Sequence, residues 1–127
     1  MNTDLFGKLK FDNGWYGKTK VKIFNKEYEV SVKLSSYYEE DGITNEQVLA
    51  VEKYKNNQDL ILHNIEKSVD EYANCISEKC FNFIPSVLVF ERNGDYGLVF
   101  DNTQDIENGI IVLCTSNYKV MLLEEYL

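Results

Sequence analysis

The chain has 127 residues, 44% hydrophobic and 27% charged, with a formal net charge of −8; this is the profile of an ordinary globular protein of one-domain size and argues against disorder. No apolar run reaches the roughly 18 residues that a membrane helix needs, and no basic stretch followed by an apolar one opens the chain, so neither a membrane span nor a secretory signal is expected. The charge is unevenly placed: residues 1–35 hold seven lysines against four acids, +3, while residues 36–127 hold six basic side chains against seventeen acids, −11. An acidic surface is ill suited to neutralising phosphates, so nucleic acid is not expected as a partner; it suits solubility or docking on a basic protein.

In chain order, Leu5, Gly7, Leu9 and Phe11 alternate with Phe6, Lys8 and Lys10, as in a strand. Asp12-Asn13-Gly14 is a hairpin signal, because Asn-Gly accepts positive φ angles. The next run puts Trp15, Gly17, Thr19, Val21 and Ile23 on one face and Tyr16, Lys18, Lys20 and Lys22 on the other. A two-residue turn at Asn25-Lys26 then leads into a third strand with Tyr28, Val30, Val32 and Leu34 inward. After a polar loop from Tyr37 to Gly42, Thr44 reads as an N-cap, with Gln47 completing a capping box and Ile43 and Val48 forming a hydrophobic staple; this helix is expected to end near Asn56-Asn57. A second helix, from about Asp59 to Lys79, buries Ile61, Ile65, Val69, Tyr72 and Ile76, with Leu62 and Ala73 flanking.

Pro85, the only proline, marks the return to strands. Val87–Phe90 and Tyr96–Phe100 flank Asn93-Gly94, and Ile110–Cys114 and Val120–Leu123 flank Ser116-Asn117. These four runs are apolar on both faces, as in strands covered on both sides. The reading is one α+β domain over residues 1–127: three strands, two helices and about four strands, mostly antiparallel, with the helices on one face of the sheet.

Candidate chemistry is sparse. Cys75, Cys80 and Cys114 are an odd number at spacings that fit neither a disulfide framework nor a zinc site, and they read as reduced thiols in a cytoplasmic protein. The one histidine, His63, shares the polar helix face with Glu66 and Asp70 but lacks a second histidine at zinc spacing. Oxygen-bearing side chains alternate at Asp101, Thr103, Asp105 and Glu107, as in a calcium loop, yet Ile106 and Val112 stand where an EF-hand requires glycine and glutamate. The alternative is a plain acidic loop closed by Asn108-Gly109.

With the turn at Asn25-Lys26, Lys22 falls opposite Glu29, Val21 opposite Val30, and Lys18 opposite Lys33. Lys8 then joins Lys18 and Lys33 in a row across three strands, which would either protect a sheet edge or serve as a surface for an anion or an acidic partner. Tyr37 and Tyr38, beside Glu39, Glu40 and Asp41, offer aromatic area and negative charge to a partner. Phosphate-binding, nucleophile-elbow and Cys-x-x-Cys motifs are all absent from the sequence.

Phe6-Gly7-Lys8-Leu9, Trp15-Tyr16-Gly17-Lys18, Ile43–Gln47, and Tyr96–Asp101 with Thr103, Asp105, Glu107 and Asn108-Gly109 resemble a bacterial family described as a domain of unknown function. The similarity spans most of the chain. It departs at Asn102–Asp105, where an aromatic residue is expected before the aspartate. The resemblance implies a small acidic cytosolic protein, some of whose relatives are read as immunity proteins of contact-dependent or polymorphic toxin systems, and it supplies no catalytic residues. The expected function is therefore non-catalytic and cofactor-free: binding of a protein partner, such as a basic toxin domain, through Tyr37–Asp41, Asp101, Asp105 and Glu107. The competing expectation is a small-ligand or metal-ion-binding protein, an enzyme included, that uses the acidic 101–107 loop or the lysine row. A pattern of residues leaves the oligomeric state open.

Overall fold

The computed structural model describes residues 2–3, 7–12, 14–36, 38–76, 83–102 and 109–126. The elements are β1 (Asn2–Thr3), β2 (Gly7–Lys8), β3 (Lys10–Phe11), β4 (Trp15–Ile23), β5 (Lys26–Leu34), α1 (Asn45–Asn56), α2 (Gln58–Ile76), β6 (Phe83–Phe90), β7 (Tyr96–Asn102), β8 (Ile110–Leu113), β9 (Lys119–Leu122) and α3 (Leu123–Tyr126). β1 and β2 pair with each other, and β3 to β9 form a seven-stranded sheet in strict chain order. Among the described residues every pairing is antiparallel except β5 with β6, which run parallel because α1 and α2 cross between them. The fold is α+β on a mostly antiparallel sheet, as the alternation of apolar residues implies. Among the described residues, no helix is long and apolar enough to cross a membrane.

The main core lies between the sheet and the two long helices. Val21, Ile23, Val30, Val32, Leu34, Leu88, Phe90, Leu98, Phe100, Ile110 and Val112 face Val51, Tyr54, Ile61, Leu62, Ile65 and Val69. These inward residues sit at every second strand position and at helical spacing on α2, so the period-two and 3.6-residue patterns of the sequence are the cause of the layer. The sheet's other face carries a smaller apolar cluster, Val89, Val99 and Ile111, against which Val87, Leu113, Met121, Leu123 and Tyr126 pack. That second cluster explains the double-sided hydrophobicity of the C-terminal strands, and α3 is its partial cover.

Four local readings need correction. The first expected strand is split into β2 and β3, with Leu9 buried between them. The β4–β5 hairpin turns at Phe24-Asn25 rather than Asn25-Lys26, since Ile23 pairs with Lys26 and both turn residues have positive φ, 55° and 61°. A phenylalanine is sterically poor there, but its ring packs 6.1 Å from that of Phe100 and its N–H donates to Glu66 of α2 at 2.6 Å. Pro85 lies inside β6, where the register shifts between Pro85 and Val87 and the lack of an N–H is tolerated. The last strand stops at Leu122, and Leu123–Tyr126 turns into a helix.

Candidate functional site

The parallel strands β5 and β6 end side by side, and the groups that gather there form one hydrogen-bonded corner. Ser35 N–H donates to Phe90 O at 2.9 Å, carrying the pairing past the end of β5. Gln47, fully buried on α1, donates from Nε2 to Ser35 O at 2.9 Å and Phe90 O at 3.1 Å, while its Oε1 accepts from Thr44 N–H at 2.9 Å. Thr44 Oγ1 accepts from Gln47 N–H at 3.1 Å and donates to Arg92 O at 2.7 Å. The capping box is thus present, and its glutamine also ties the helix to both parallel strands. Arg92 closes the corner, donating from one guanidinium nitrogen to Ser35 O at 3.3 Å and Gly42 O at 3.2 Å. Gly94, at φ +95°, lets the β6–β7 turn approach the α1 backbone, since a Cβ there would stand 3.2 Å from Glu46 O.

On this corner sits the acidic turn. Glu39, Glu40 and Asp41 form a single 3-10 turn, with Gly42 N–H donating to Glu39 O at 3.2 Å and Ser36 Oγ to Tyr38 O at 2.8 Å. All three carboxylates are exposed, and Tyr38 is 64% exposed. Tyr37 lies outside the described residues. Beyond the turn, the outer side of α1 exposes Glu46 and Leu49, the latter to 64%.

A second feature lies on the face of the sheet away from α1 and α2. Strand pairing aligns Tyr16, Lys33, Val89, Gly97 and Leu113 in one row and Lys18, Ser31, Val87, Val99 and Ile111 in the next. Side chains are polar over β4 and β5 and apolar from β6 onward. At this boundary runs a trough of about 620 Å³ lined by Tyr16, Lys33, Val87, Val89, Val99 and Leu123, among others. It continues into a space of about 570 Å³ at the strand ends, with Lys33, Ser35, Glu91 and Tyr126 common to both. Lys33 Nζ lies 6.0 Å from the centre of the Tyr16 ring, at the outer limit of a cation–π contact. Glu91 accepts from Ser35 Oγ at 3.1 Å. Burial, and then the negative charges of Glu91 and Asp95, push the Tyr126 phenol up to about 12.

The structure does not assemble the lysine row. Lys18 pairs with Ser31 and Lys33 with Tyr16, because the turn sits one residue earlier than expected and every β5 partner moves by two. Lys18 instead reaches Glu29 at 3.6 Å and Lys20 reaches Glu27 at 3.7 Å, in exposed pairs of little energetic weight. Lys8 is in β2, paired with Asn2 outside the seven-stranded sheet. Asp101 is exposed near the end of β7, whereas Asp105 and Glu107 fall outside the described residues.

His63 is exposed on α2, and Glu66 anchors the β4–β5 turn. The Asp70 carboxyl is raised by partial burial and then by Glu66. Among the described residues, no group of three or more His, Cys, Asp or Glu is placed to hold a metal ion. Sequence reasoning missed Arg92, the strand-tying bonds of Gln47, and the trough with its α3 wall. Only Gln47 carried a signal, through its capping-box spacing.

No curated protein and no solved structure matches the chain. The model of the family described as a domain of unknown function (DUF6985) matches residues 5–112, leaving the α3 wall of the trough outside the matched stretch, and the chain belongs to that family.

Proposed function

We propose that this protein is a non-catalytic binding domain that docks on a basic protein partner through the acidic turn Tyr38–Asp41 and the outer side of α1. The observation that carries the reading is an exposed aromatic and acidic turn on a fixed base. Tyr38 and three carboxylates face solvent, while Arg92, Gln47 and Thr44 hold the backbone beneath them. A surface ordered before association loses little conformational entropy on binding. Tyrosine contributes contact area at interfaces, and a net charge of −8 speeds encounter with a basic surface. The partner class we infer is a toxin domain neutralised in the cytoplasm. Its support is the acidic excess of residues 36–127 and the immunity-protein relatives that the sequence resemblance implies.

The test is affinity capture from cells that express the protein, followed by binding kinetics with the purified partner. A stoichiometric basic partner is expected. Its association should slow at least about tenfold and lose most of its salt dependence for the triple variant Glu39→Lys, Glu40→Lys, Asp41→Lys. These side chains are exposed, so the variant should melt close to the native protein. A partner held equally well by the triple variant, or no partner at all, overturns the proposal.

A further inference from the structure

The trough on the opposite face has a chemistry unlike that of the acidic turn. Its floor is Val87, Val89 and Val99, with Leu123 on one wall and the Tyr16 ring on the other. Lys33 and Glu91 are its charged groups. Glu91 is engaged by the hydroxyl of Ser35. Lys33 is half-buried, and among the described residues no carboxylate lies within ion-pair distance of it. Lys18 and Lys20, on the same face, are paired with Glu29 and Glu27. A partly desolvated ammonium beside apolar surface favours an anion brought to it. The trough's volume of about 620 Å³ falls within the range of small-molecule sites, which are mostly apolar with a few placed polar groups.

We propose that the trough binds a small carboxylic acid with an apolar body, its carboxylate seated on the Lys33 ammonium and its body laid along Val87, Val89 and Val99. The site is independent of the protein docking proposed above. Lys33 supplies N–H donors and the positive charge; the valines and Leu123 supply the apolar contact. An alcohol of the same length would gain the second contribution without the first, which makes the discrimination measurable.

The probe is decanoate, kept below its micelle concentration and titrated into the full chain. Decanoate is expected to raise the melting temperature by binding the native state. It should shift the amide resonances of Lys33, Val87, Val89 and Val99 while leaving those of α1 in place. Lys33→Gln should weaken binding about tenfold or more, Lys33→Arg should retain most of it, and Lys18→Gln should leave it unchanged. Decanol should bind about tenfold more weakly than decanoate. Equal binding of decanol, full binding by Lys33→Gln, or no response to decanoate each overturns the proposal. So does binding only of a short peptide with an apolar C-terminal residue and a free carboxylate, which would make the trough a site for a chain end. The triple acid reversal should bind decanoate normally, so failure of one proposal leaves the other standing.

Discussion

Gln47 offers the sharpest test of the corner that supports the acidic turn. Gln47→Ala removes three hydrogen bonds, to Thr44 N–H, Ser35 O and Phe90 O, each worth about 1 kcal/mol net. Ser35 O keeps a donor in Arg92 and Phe90 O keeps one in Ser35 N–H, so Thr44 N–H loses most. Loss of the buried side-chain methylene adds about 0.8 kcal/mol. The expected loss is about 3–4 kcal/mol, or about 9–20 °C in melting temperature at about 3–5 °C per kcal/mol for a chain of this size. Gln47→Glu should be worse near pH 7, because it buries a charge against two carbonyl oxygens. The sign with pH follows from burial: the introduced carboxyl titrates higher in the folded than in the unfolded state. Its penalty is therefore full above the folded value and fades as pH falls through the carboxylate range. Urea unfolding of native and variant proteins at pH 7 and pH 4 measures both effects. A loss below about 1 kcal/mol for Gln47→Ala, or a Gln47→Glu penalty that ignores pH, would refute this account of the corner.

Gly97→Ala should cost more than about 2 kcal/mol in the same assay: the added methyl would stand 2.6 Å from Val112 O, and a strand backbone cannot retreat as a side-chain tip can. A neutral result would mean that β7 and β8 separate more easily than their pairing implies. Cys114 should react slowly with iodoacetamide, since burial pushes its thiol up to about 12 and leaves little thiolate at pH 8. Peptide mass spectrometry, which separates it from Cys75 and Cys80, should show at least about a tenfold slower rate in the folded protein than in urea. Equal rates would contradict the buried thiol.

The layers were legible because they rest on local periodicity. Alternation at Val21, Ile23, Val30, Val32 and Leu34 and the spacing of Ile61, Ile65 and Val69 mark buried faces without any knowledge of neighbours. The α1 start was equally plain, as the Thr44–Gln47 capping box is closed by residues three apart. What escaped depends on contacts distant in sequence. Arg92 caps carbonyls 57 and 50 residues away, and nothing around it marks it as other than a loop arginine. Phe24 tolerates its left-handed backbone because of Phe100 and Glu66, so the local preference of Asn25 placed the turn one residue late. At α3, Leu123 continues an apolar run and reads as strand until the backbone turns.

The hairpin error separates what pattern can reveal about a fold from what it can reveal about a site. Moving the turn from Asn25-Lys26 to Phe24-Asn25 displaces every β4–β5 partner by two residues. A slip of one would exchange the two faces, whereas a slip of two preserves them. The expected core is therefore intact, with Trp15, Val21, Val30 and Val32 inward, although no cross-strand neighbour in that hairpin is the expected one. Stability depends mainly on which face a residue occupies, so it survives the error. Recognition depends on which residues adjoin, and here the same displacement dissolves a lysine row, pairs Lys18 and Lys20 with glutamates, and leaves Lys33 beside Tyr16 at the edge of an apolar trough. The trough owes its charge to a register that no period-two pattern encodes; that register was set by a phenylalanine ring and a helix carboxylate acting on a two-residue turn.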